Sequence, residues 1–329
     1  MPAYVPLPLP GAFITAGAGA ARRRPDSGSA PAKAAHQHPG PLPHVASSTL
    51  RRFEAFASQF VAPRTVDVWL PPGYSNARSY DVLYMHDGQM LFDSTTTWNH
   101  QDWRLDETLG RLQRAGAVRP TIVVAIWNTG PSRHAEYYPQ RPLAYLDSAL
   151  RGQVVRGFLQ GRPQADNYLR FLTQELKPFI DRTFATRPGR AHTFIMGSSM
   201  GGLISLYALC EYPQVFGGAA CLSTHWPGTF GEGRYPQAAS FQRYLREHLP
   251  PPRPHRLYFD HGSATLDSLY APHQQAVDAV LRERGYTART WLTRTVPGAN
   301  HSERAWARRL AVPLQFLLKQ RGMPVDVEW

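Results

Sequence analysis

His192-Thr-Phe-Ile-Met196 followed at once by Gly197-Ser198-Ser199-Met200-Gly201-Gly202 is the stretch whose reading decides the fold. The apolar, partly β-branched run predicts a strand. The five residues after it fit the pattern G-x-S-x-G, and a helix is expected from Met200 onward. In that setting the middle serine, Ser199, occupies a tight, strained turn. Small residues two positions to either side relieve the crowding, and the hydroxyl projects above the sheet. The first N–H groups of the following helix then point at the same spot. A bare G-x-S-x-G is common. The preceding strand, the following helix and the doubled glycine make this one specific. Ser198 is expected to be a wall residue.

A serine hydroxyl is a weak nucleophile and needs a base, which in turn needs an orienting acid. When a serine sits on such a turn, the chain order is serine, acid, histidine. The segment Asp260-His-Gly-Ser-Ala-Thr-Leu-Asp267 follows a predicted strand. Pro297-Gly-Ala-Asn-His301 follows the next one. Both lie at the carboxyl ends of strands, where sites in parallel sheets form. His301 is the expected base. Asp260 and Asp267 both remain open as the acid on this pattern alone. An oxyanion needs two N–H donors: one from Met200, the other from the loop His86-Asp87-Gly88-Gln89, where Gly88 is expected to make the turn and Gln89 to donate. His86, Asp87, Arg133 and His225 are expected near the substrate, with His86 otherwise structural and His225 too early in the chain to be the base. Arg133 and Glu136 are expected to pair with each other, the alternative being Arg133 as a contact for an acidic or phenolic group.

Outward from this core, the pattern alternates. Strands are predicted at 64–70, 81–85, 121–126, 192–196, 217–223, 257–260 and 287–292. Thr121-Ile-Val-Val-Ala-Ile126 is nearly continuous in apolar residues, as a strand buried on both faces requires. Helices are predicted around Leu105, Leu109 and Leu112, over 167–182, over 272–284 with Gly285 as terminator, and at the C-terminus with a break at Pro313. Residues 127–163 read as irregular. The expectation is an α/β fold with a mostly parallel central sheet and helices on both faces.

The hydrophobic share of 43% and charged share of 18% fit a globular core. Residues 1–48, rich in Pro, Ala, Gly, His and Ser, are expected to form a flexible leader, and 49–329 the catalytic domain. The net charge is +12, yet the arginines are scattered and the densest cluster, Arg22-Arg23-Arg24, lies in the leader. No nucleic-acid partner is expected from that pattern. Cys210 and Cys221 have no metal-ligand spacing and read as buried free thiols. No segment is long and apolar enough for a membrane span. The mildly apolar 12–20 precedes its positive charges instead of following them, so no secretory signal is evident and the compartment stays open.

The segments Asp81-Val-Leu-Tyr-Met-His-Asp-Gly-Gln-Met-Leu-Phe-Asp93, Arg133-His-Ala-Glu-Tyr-Tyr-Pro139, Gly197-Ser-Ser-Met-Gly-Gly202, Asp260 to Asp267, and Gly298-Ala-Asn-His-Ser-Glu-Arg-Ala-Trp306 together resemble the putative esterase family of α/β-hydrolases. That family includes esterase D, enterochelin, feruloyl and acetyl-xylan esterases and the mycolyltransferases. The resemblance spans about Arg64 to Leu318. It implies an α/β-hydrolase fold and a serine esterase with Ser199, Asp267 and His301 as triad, working without metal or cofactor through an acyl-enzyme. It implies a small-molecule or carbohydrate-linked ester as substrate. The alternatives it leaves are acyl transfer to a sugar or lipid acceptor, and a non-catalytic binding role on the same fold.

Overall fold

The computed structural model describes residues 41–46, 48–229 and 235–319. Its frame is an eight-stranded sheet in the order β1-β2-β4-β3-β5-β6-β7-β8. The strands are β1 (Thr49–Phe56), β2 (Arg64–Leu70), β3 (Asp81–His86), β4 (Thr121–Ile126), β5 (Thr193–Ser198), β6 (Gly218–Leu222), β7 (Arg256–His261) and β8 (Trp291–Thr295). From β4 through β8 every neighbouring pair is parallel, while β1, β2 and β4 pair antiparallel.

Alternation along the strands splits the core into two layers. Val82 and Tyr84 of β3, with Val124 of β4 and Ile195 of β5, face one side and pack with Leu203, Leu206 and Tyr168 from the helices there. Leu83 and Met85, with Val123 and Met196, face the other side and meet Leu109, Leu112, Leu314 and Leu317. A strand between two helical layers must be apolar on both faces, and β4 is fully buried along its length. The helices are Leu105–Arg114, the run from Ala165 to Thr183, Met200–Glu211, Pro236–His248, Ala271–Glu283, Glu303–Arg309 and Ala311–Leu318. The 165–183 run is continuous, its middle part, Phe171–Leu176, wound in wider turns. The final two helices part at Leu310, shortly before Pro313.

Four expectations change. The last strand is Trp291–Thr295, not 287–292. The N–H groups of Thr290 and Trp291 both donate to the Thr287 carbonyl, so the β-branched start of that segment closes a turn. Residues 127–163 are not irregular but a chain of short helical turns, among them Arg133–Tyr137 and Ser148–Gln153. The helix Pro236–His248 and the edge strand β1 were not anticipated. In β1, Arg51 and Arg52 interrupt any apolar alternation.

The chain divides into two units, Met1–His38 and Pro39–Trp329, and all described residues belong to the second. Residues 1–40 of the expected leader lie outside the described residues. Its last residues do not, and His44 and Ala46 donate their N–H groups to Asp93 and Asp106. Cys210 and Cys221 are free and buried. Among the described residues no helix is long and apolar enough to cross a membrane.

Candidate active site

Ser199 stands between β5 and the helix Met200–Glu211 with φ 56° and ψ −122°. A non-glycine residue there stores roughly 1–3 kcal/mol of strain, tolerated only when its surroundings fix it. They do so through the backbone. The Ser199 N–H donates to the Leu222 carbonyl at 2.9 Å, and the Ser199 carbonyl accepts from His225 at 3.2 Å and from Gly202 at 3.0 Å. The turn is thus tied to β6 on one side and to its own helix on the other.

The loops after β7 and β8 meet beside it. His301 Nδ1 and Asp267 Oδ1 are 2.6 Å apart. The other carboxylate oxygen accepts from the Ser223 hydroxyl and the Gly262 N–H, each at 2.6 Å. Burial by itself would raise the Asp267 carboxyl. The His301 bond and charge, with the Ser223 and Gly262 donors, outweigh burial and hold it below the usual carboxylate range. Gly262 is dictated by the meeting of the loops, since a Cβ there would lie 2.0 Å from the Ala299 carbonyl oxygen. Asp260 does not face His301. It takes Arg309 Nη2 at 2.9 Å and the Tyr258 hydroxyl at 2.9 Å, and burial keeps its carboxyl above the ordinary value.

The Ser199 side is looser. Ser199 and His301 are not hydrogen-bonded to each other in this structure. Tyr270 is fully buried nearby, its ring edge-on to His301 at 5.8 Å. The phenol meets His225 Nδ1 at 2.9 Å, and His225 Nε2 faces the Thr229 carbonyl at 3.3 Å. Burial, with the nearby His301 second, lowers His225 to about 3, so it is neutral. Its Nε2–H therefore donates to Thr229 and its Nδ1 accepts from Tyr270.

The loop after β3 approaches the start of the same helix, where a Cβ on Gly201 would lie 3.5 Å from Asp87 Oδ2. Met200 opens the helix, so its N–H lies outside the intrahelical ladder. Gln89 is the middle residue of the turn Gly88–Met90. The left-handed residue is Asp87, at φ 56°, not Gly88 as expected. Gly88 serves a close approach instead, because a Cβ there would sit 2.6 Å from the Ala125 backbone of β4. Asp87 is pinned by both forks of Arg133 at 2.8 Å and by the Asn128 amide at 2.8 Å. Burial would raise its carboxyl, and Arg133 more than offsets that.

The expected Arg133–Glu136 pair does not form. Glu136 is bound by the buried Arg64 at 2.7 and 2.8 Å, while Arg133 is taken up by Asp87. His86 and His225 present almost no surface, at 1% exposure each. His86 shares the β3 face of Val82 and Tyr84 and so points into the core, where Nδ1 meets the Tyr168 hydroxyl at 2.8 Å and burial lowers its pKa to about 3.

The family model described as "Putative esterase" matches residues 58–317. The chain belongs to that family. Relatives within reach of sequence comparison include the uncharacterized protein YbbA of Bacillus subtilis, 27% identical over 166 residues that cover 50% of this chain and 58% of that one. The siderophore enterobactin esterase of Emericella nidulans is 27% identical over 169 residues, 47% of this chain and 50% of that one. The chain thus spans about half the length of these curated relatives. Among solved structures, a ferulic acid esterase from Anaeromyces mucronatus superposes with TM-score 0.58 at 18% identity, covering 84% of this chain and 93% of that one. The enterochelin esterase of Shigella flexneri gives 0.59 at 17%, covering 83% and 59%. These likenesses establish the α/β-hydrolase fold.

Within this esterase-family frame, sequence reasoning missed the residues that hold Asp267. Ser223 donates to Asp267 while accepting from Trp306 Nε1 at 2.9 Å and Arg309 Nη2 at 2.8 Å. Trp306 also stands edge-on to His301 at 5.0 Å. Trp306 and Arg309 are three apart on one helix, a spacing that puts both on one face. That face was a legible signal, whereas its partner Ser223 was not. Among the described residues no group of three or more His, Cys, Asp or Glu side chains is arranged to hold a metal ion.

Proposed function

We propose that the chain is a serine-dependent carboxylic ester hydrolase, with Ser199 as nucleophile, His301 as general base and Asp267 as the acid that orients it. The observation that carries this reading is the 2.6 Å His301–Asp267 contact beside a serine held at φ 56°. With Nδ1–H given to Asp267, the other imidazole nitrogen is left to accept the Ser199 proton. Attack on the ester carbonyl forms a tetrahedral oxyanion, which the Met200 and Gln89 N–H groups stabilise. Collapse expels the alcohol, protonated by His301, and leaves Ser199 acylated. Water, activated by the same imidazole, then releases the acid. The substrate is a small-molecule or carbohydrate-linked ester, a class supported by similar proteins named for ferulic acid and enterobactin. No metal or cofactor enters these steps.

The test is turnover of p-nitrophenyl acetate by the wild type and by Ser199→Ala, with folding checked by circular dichroism. The variant should lose on the order of 10⁴-fold or more in kcat. Equal turnover in a folded variant refutes the assignment.

A further inference from the structure

Outside the triad, two helices turn arginines toward each other. On Leu105–Arg114 and the residue before it, Arg104, Glu107, Arg111 and Arg114 recur at spacings of three and four, so they share one stripe. On Glu303–Arg309, Arg304 and Arg308 do the same. The two stripes line a cavity of about 780 Å³, within the roughly 300–1,000 Å³ usual for ligand sites. Five guanidinium groups face it against two carboxylates, Asp102 and Glu107. Arg104 pairs with Glu107 at 3.2 Å, whereas Arg111, Arg304 and Arg308 make no ion pair among the described residues.

That lining suits an anion of particular shape. Ligand sites are usually apolar with a few polar groups, but this one offers only two alanines as apolar residues. Arg104 and Arg114 lie about 15 Å apart along their helix, and Arg304 and Arg308 about 6 Å, from the rise per residue. One small ion cannot span them, so the matching ligand carries several charges along its length. A nucleic-acid strand would want aromatic platforms for its bases, and the lining has no Trp, Tyr or Phe. Phosphoryl groups put nearly two charges and three acceptor oxygens in a small volume, which paired guanidinium forks can take up together. We propose that this groove is a binding site for a small molecule bearing two or more phosphoryl groups. The site is separate from the reaction centre. The opposite face of Glu303–Arg309 carries Trp306 and Arg309, which reach Ser223 and Asp260, so the groove backs onto the scaffold of the acid and not onto Ser199.

The experiment is isothermal titration calorimetry at fixed ionic strength on the full chain, with sodium tripolyphosphate as probe and citrate as a polycarboxylate control. The wild type should bind one tripolyphosphate and prefer it to citrate. Arg111→Gln/Arg308→Gln should weaken binding about tenfold or more while p-nitrophenyl acetate turnover without the anion stays at the wild-type level. Arg104→Gln/Arg304→Gln is a second pair with the same expectation if the first does not fold. No binding by the wild type, or equal affinity in a folded double variant, overturns the site. Equal affinity for citrate overturns its phosphoryl specificity.

Discussion

Asp260, near the end of β7, and Asp267, seven residues on in the segment that follows, are both almost wholly buried and differ in what they meet. Asp267 meets an imidazole and two neutral donors, Asp260 a guanidinium and a phenol. Asp267→Asn should therefore lower kcat for p-nitrophenyl acetate by on the order of 10³–10⁴-fold, because the amide no longer favours the productive imidazole tautomer. Asp260→Asn should keep kcat within about tenfold while lowering the melting temperature, because the buried Arg309 loses the nearer of its two carboxylate partners. Kinetics and thermal melts on both variants check this, and a reversed pattern rejects the assignment. Arg133 belongs to the same scale. Arg133→Ala strips a partly buried carboxylate of its bidentate partner, at a cost on the order of 2 kcal/mol, between the values for exposed and buried pairs. The Asp87 turn that carries Gln89 loses its clamp, so kcat should fall more than KM changes. Unchanged kcat would remove Arg133 from the support of the oxyanion loop.

Elements show which parts of the sequence could be read. Strands β3, β4 and β5 and the serine turn were legible, because a short apolar run next to Gly or Asp has few other uses. Which of Asp260 and Asp267 meets His301 was not legible from pattern, because it depends on Ser223 and Arg309, residues far away in the chain. β8 was displaced because β-branched Thr287 and Thr290 serve a turn as readily as a strand. The Arg133–Glu136 expectation failed because spacing on a five-residue helix says nothing about Arg64, 72 residues from Glu136. The helix Leu105–Arg114 carries a prediction of its own. Asp106 accepts the Ala46 N–H at 2.7 Å, and burial, with Glu107 adjoining, raises its pKa from 3.8 to about 7. An acid whose pKa rises on folding prefers its proton in the native state. Its contribution to stability therefore falls as pH climbs through the window from about 4 to about 7. Urea midpoints at pH 5 and pH 8 should differ more for the wild type than for Asp106→Asn. The same difference in both proteins would show that Asp106 does not set it.

At the scale of the whole molecule, the sheet works as a jig. Its parallel half delivers the ends of β3, β5, β6, β7 and β8 to one edge. There Asp87, Ser199, Ser223, Asp267 and His301 follow from five separate stretches of chain. That Ser199, Asp267 and His301 lie in that order after parallel strands was legible because the order of the strands along the chain dictates it. No hydrogen bond joins Ser199 to His301, while Tyr270 stands edge-on to His301 and meets His225. The account requires that this serine become nucleophilic in the folded protein. Mass-spectrometric mapping of the adduct left by a fluorophosphonate tests it most directly. A single adduct on Ser199 that disappears in folded His301→Ala is the predicted result. An adduct on another residue, or none on the native wild type, contradicts it.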